Sequence, residues 1–89
     1  MKRPPVEEYD IDKTIDEIKN RLYVRLGQKG DGILASSHEV LSVISEEFDE
    51  YKWSVHDNDA TAQHEELMDI AVAAVMGMAS MKSGKMDWL

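Results

Sequence analysis

Ile11, Ile15, Ile18, Leu22 and Leu26 follow one another at spacings of four, three, four and four residues, a pattern that lines one side of an α-helix and that no strand can use. A comparable periodic segment runs from Ser37 to Trp53 and another from Ala60 to Met81, while no stretch of useful length alternates as a half-buried strand would. The chain therefore reads as all-α, with three main antiparallel helices over about 11–26, 37–53 and 60–81.

The punctuation agrees. Asp10 or Asp12 can cap the first helix, and "GQKGDG", with three glycines in six residues, ends it in a loop. Ser36 or Ser37 offers the second cap, and Asp59 or Thr61, in the connection "SVHDNDAT", the third. Two successive prolines make 1–10 an irregular arm, and "KSGKMDWL" leaves 82–89 as a loose basic tail. The third helix, rich in Ala and Met and free of charge after Asp69, is expected to be the most buried.

Eighty-nine residues form one domain at most, and a domain of this size hides only about 60–65% of its unfolded surface. The third helix is apolar around much of its circumference, and three helices cannot cover it. Homo-oligomerisation, as a dimer or dimer of dimers, is expected to complete the bundle, with Val72, Met76 and the first-helix stripe at the interface. A net charge of −8 argues against nucleic acid as a partner, and the absence of cysteine removes disulfides and thiolate chemistry. With no apolar leader segment and no run near the roughly 20 residues of a membrane span, a soluble cytoplasmic protein is expected.

The acids carry the functional signal. With Glu47 set at zero on a helix, Val40 falls about 20° away, Val43 and Tyr51 about 40°, and Ile44 and Glu50 about 60°, while Asp49 points nearly opposite. On the third helix, Ala73 and Gly77 lie about 20° from Glu66, Ile70 and Ala62 about 40°, and Asp69 about 60°. The small residues there leave room for something bound. For either helix alone, solvated acids on an outer face are the simpler account; two i, i+3 pairs in phase with non-polar residues favour the inward reading. Four carboxylates meeting in an apolar site need protons or cations, and a hard divalent ion with oxygen ligands is the economical solution.

Glu46, Glu47 and Glu50, followed after fifteen residues by Glu66 and Asp69, spell EExxE…ExxD, and "EELMDIA" continues the second motif. Over about Ser36 to Met81 this resembles the MazG-like, all-α nucleoside triphosphate pyrophosphohydrolases. The resemblance implies that Glu47, Glu50, Glu66 and Asp69 hold Mg²⁺, with Mn²⁺ as a substitute, and that Glu46 orients water or assists a second metal. It also implies cleavage of a nucleotide triphosphate, (d)NTP, to the monophosphate and pyrophosphate by a homo-oligomer. The first helix has no tryptophan or histidine motif matching base recognition in that family, so the nucleobase stays open. For the phosphates, Lys52, Arg21, Arg25, Lys82 and Lys85 are the available cations, although surface Arg and Lys more often serve solubility. The rival class is a non-enzymatic acidic module, an inhibitor or DNA mimic, whose acids would face out; a degenerate family member lies between the two.

Other features weigh less. His38 lies about 180° from Glu47 and His64 about 160° from Glu66, so neither belongs with the acids. "DNDATAQHEELM" has Ala62 where a calcium loop needs glycine and Met68 at its last position, and no Glu-x-x-His pair suggests a di-iron centre. Met68, Met76, Met78 and Met81 suit core or interface packing. Trp53 and Trp88 could stack on a base, with burial or an interface as the simpler account. "GQKGDG" does not have the spacing of a phosphate loop.

Overall fold

The computed structural model describes residues 2–87 and contains three helices and, among the described residues, no strand. They are α1 (Glu8–Lys29), α2 (Ser37–His56) and α3 (Ala60–Lys82). The second and third starts are the expected ones. Ser36 Oγ accepts the Glu39 N–H at 3.2 Å, and Asp59 Oδ1 accepts the Ala62 N–H at 3.0 Å, each satisfying a donor that the first turn leaves orphaned.

The ends differ from expectation. α1 begins at Glu8, so the irregular arm is confined to the residues before it, and its cap position is Glu7, whose side chain makes no capping bond, instead of Asp10 or Asp12. Glu8 and Asp10 lie in the first turn, where acids favour the helix dipole. α1 also continues through Gly27 and stops only at Gly30, whose φ of 90° suits glycine and whose N–H donates to the Leu26 carbonyl at 3.0 Å. One mid-helix glycine costs about 1 kcal/mol and does not break a helix that is held by packing.

The connection between α2 and α3 shrinks to residues 57–59. Asp59 N–H donates to Ser54 C=O at 3.0 Å and Asn58 N–H to Val55 C=O at 3.1 Å, a paired closure around a left-handed residue. That residue is Asn58, φ 56°, a type that tolerates the conformation. The described part of the tail, 82–87, is not loose either: Lys82 belongs to α3, and the Asp87 N–H donates to the Ala35 carbonyl at 2.7 Å. Ser80, almost fully buried, accepts the Leu34 N–H at 2.9 Å and donates to Met76 C=O at 2.7 Å. Together these bonds fasten the α1–α2 loop across the end of α3.

α3 is the core element, carrying buried Met68, Val72, Ala73, Gly77 and Ser80. α2 lies antiparallel along it, with Val40 over Gly77 and Ser54 level with Gln63. A Cβ on Gly77 would stand 2.8 Å from Val40 Cγ1, so at Gly77 the space left by a small residue serves close helix packing and is filled by α2 itself, not by a ligand. α1 runs parallel to α3, as the first and third of three successively antiparallel helices must: Thr14 and Ile18 lie beside His64 and Leu67, and Leu22 and Leu26 beside Val72 and Met76. No Cα of α1 comes within 8 Å of one in α2.

In the half of α1 before Ile18, Tyr9, Ile11 and Ile15 are exposed, while the rest of the same stripe is half-buried on α3. Leu41, Phe48 and Val55, seven apart on one face of α2, are uncovered as well. Val72, expected at an interface between copies, is only 1% exposed within one chain and cannot serve there. No helix among the described residues is long and apolar enough to cross a membrane.

Candidate metal centre

Three of the four acids do point inward. A carboxylate oxygen from each of Glu47, Glu66 and Asp69 lies within 4.8 Å of the other two, close enough to share one cation. α2 brings Glu47 from one side and α3 brings Glu66 and Asp69, one turn apart, from the other. Glu47 Oε2 and Glu66 Oε2 are sealed from solvent and face no donor. Buried acceptors of this kind are costly, and only a proton or a cation can satisfy them where they stand.

The electrostatics agree. Burial first, then the charges of Asp69, Glu50 and Glu66, push the Glu47 carboxyl up to about 7, against a partial relief from Arg25. Burial likewise raises Glu66, followed by a hydrogen bond to Glu50 that favours its protonated form and by the Glu50 and Asp69 charges, against a partial relief from a hydrogen bond with Glu47. Carboxyls whose proton affinity is raised by burial and by neighbouring negative charge are donors whose ionised form a divalent cation stabilises on binding.

Glu50 is exposed and stands outside the trio, touching it through Glu66; its place at the rim differs from the equal fourfold set that the motif implies. Glu46 is exposed beside Glu47. Asp49 is exposed too, as its phase requires.

Of the five cations considered for phosphate, Arg21 and Arg25 reach the site. Arg21 Nη1 donates to Glu65 at 2.6 Å and Nη2 to Asp69 at 3.1 Å, and Arg25 Nη2 lies 3.5 Å from Asp69. Hydrogen bonding to Glu65 is the largest influence holding the Arg21 guanidinium above its ordinary value. Lys52 instead lies over the Phe48 ring at 5.9 Å, on the far side of α2. Lys82 and Lys85 sit at or beyond the end of α3, about 20 Å along the axis from Asp69 at 1.5 Å per residue. Glu65 is the residue that motif reasoning overlooked. Its signal was local: Arg21 and Arg25 on α1, and Glu65 and Asp69 on α3, are both i, i+4 pairs, and parallel helices can set one against the other.

The remaining side chains stay apart from the trio. Among the described residues no histidine joins it; His64 lines the groove between α1 and α3. Trp53 is 66% exposed, edge-on to His56 at 5.9 Å, so it is not a core residue, and Trp88 lies outside the described residues. Met68 is buried and Met76 half-buried, whereas Met78 and Met81 are exposed. No protein-family model, curated protein or solved structure matches the chain.

Proposed function

We propose that this is a soluble, cytoplasmic nucleotide pyrophosphohydrolase that uses Mg²⁺, or Mn²⁺ in its place, to convert a (d)NTP into the monophosphate and pyrophosphate. The observation that carries the reading is the inward-turned trio of Glu47, Glu66 and Asp69 with its two sealed, donorless oxygens. The EExxE…ExxD resemblance supplies the reaction class. A non-enzymatic acidic module accounts for the charge but not for carboxylates turned toward one another inside the fold.

Glu47, Glu66 and Asp69 would hold the ion, with Glu50 at the rim. When bound, Mg²⁺ would offset phosphate charge and make water more acidic. Glu46, outside the trio and open to solvent, is assigned the proton of the attacking water. The water's oxygen then bonds to the α-phosphorus as the bond to the pyrophosphate leaving group breaks. The helices position and charge-balance the substrate; no phosphate loop is present to grip the γ-phosphate.

A second copy of the chain completes the fold in this reading. A compact monomer of 10.1 kDa exposes about 5,300 Å², whereas this chain exposes 7012 Å². The radius of gyration, 14.9 Å, likewise exceeds the roughly 12 Å of a compact chain of this length. The excess surpasses the roughly 800 Å² per partner of a standard interface, and it includes the α1 stripe at Ile11 and Ile15.

The deciding experiment incubates the protein with Mg²⁺ or Mn²⁺ and a panel of nucleoside and deoxynucleoside triphosphates, separating products by ion-exchange chromatography. Monophosphate with pyrophosphate is expected, and Glu46→Gln is expected to slow turnover with little loss of metal binding. Orthophosphate without pyrophosphate would overturn the reaction assignment.

A further inference from the structure

Within the trio only Asp69 is ion-paired with a cationic side chain. Arg21 and Arg25 both reach it, while Glu47 and Glu66 each keep one sealed oxygen with no donor. A cation drawn in by those two oxygens must compete with two guanidiniums for the third ligand. Asp69 is itself only 13% exposed in its side chain, so it has little room to serve all of them at once.

We propose that Arg21 and Arg25 are a resident counter-charge that holds Asp69 until a divalent cation takes it, and that then turns to the phosphate groups accompanying that cation. The two side chains are 36% and 29% exposed, so they can move without repacking the core. Arg21 also keeps Glu65 at 2.6 Å, a second anchor outside the trio that tethers it beside the site after it releases Asp69. A guanidinium cannot shed its proton to escape an unpaired state. Once Asp69 is taken it requires another anion, and the planar fork matches phosphate oxygens two at a time. The exchange makes cation binding and phosphate binding mutually reinforcing, since each removes the other's competitor.

The inference rests on the metal site proposed above, and calorimetry separates the two. Mg²⁺ alone is titrated into the wild-type chain and into Arg25→Gln and Arg21→Gln, with circular dichroism to confirm the helices; inorganic phosphate is then titrated into each Mg²⁺-saturated protein. Each variant is expected to bind Mg²⁺ alone more tightly than wild type, by roughly fivefold or more, although its metal-free form melts lower. Wild type is expected to bind phosphate more tightly with Mg²⁺ than without, and the variants to lose that gain. Should Arg25→Gln fail to fold, Arg21→Gln carries the same sign from a more exposed position. Unchanged or weaker Mg²⁺ binding in the folded variants would overturn the exchange and leave the metal site standing. A wild-type chain that takes up no divalent cation would overturn both.

Discussion

Gly77 on α3 lies so close beneath Val40 on α2 that a Cβ there would come within 2.8 Å of Val40 Cγ1. This contact sets how near the two acid-bearing helices approach. Gly77→Ala gains about 1 kcal/mol of helix propensity but forces apart a close-packed pair, for which overpacking costs about 1–3 kcal/mol. A net loss of about 1 kcal/mol is expected, read as a fall in melting temperature of roughly 4–8 °C. Val40→Ala added to the same chain should recover most of it, and a purely additive double mutant would contradict the packing account.

The acids should divide into two classes when neutralised one at a time. Glu47→Gln and Glu66→Gln remove half-buried carboxyls whose sealed Oε2 has no donor, so both are expected to raise the metal-free melting temperature while weakening Mg²⁺ binding. Asp69→Asn also weakens Mg²⁺ binding but deprives Arg21 and Arg25 of a partner, so it should lower metal-free stability. Asp49→Asn, on the exposed side of α2, is the control. Thermal melts with and without Mg²⁺ decide the matter, and a control as damaging as the others would mean that the ligand face is misassigned.

Proton uptake by Glu47 predicts a pH dependence of definite sign. Its carboxyl rises from 4.5 to about 7 on folding, so between those values the folded chain binds more protons than the unfolded one. Metal-free stability should therefore fall as pH increases from about 4.5 to about 7 and level off above; Glu66, raised by the same burial, acts in the same direction. Because a cation must displace those protons, Mg²⁺ binding near pH 6.5 should release protons, and much less above pH 8. Calorimetry in buffers of different ionisation enthalpy measures the release directly; its absence near pH 6.5 would argue against Glu47 as a ligand.

Association through the uncovered stripe of α1 is open to a simple test. Ile15 is 57% exposed although it continues the stripe that packs on α3. Light scattering at tens of micromolar is expected to give at least a dimer for wild type, with a melting temperature that falls on dilution. Ile15→Asp should dissociate it while the helices remain. A folded wild-type monomer under these conditions would remove the need for a partner copy.

The amino-acid sequence by itself determined what depends on neighbours a few residues away. The apolar period made three helices, Ser36 and Asp59 started two of them, and the angular phase turned Glu47, Glu66 and Asp69 toward their helices' non-polar sides. The same local reasoning ended α1 too early at Gly27, because packing outweighs the modest cost of one glycine, and it released a tail that Asp87 in fact ties to Ala35. Only the tertiary structure decided how the helices meet. Their register let Val40 fill the space at Gly77, left Glu50 at the rim, and set α1 parallel to α3 so that Arg21 and Arg25 face Asp69. The physical reason is that helix phase follows from 100° per residue, whereas inter-helix register is chosen by the summed packing of side chains far apart in the chain.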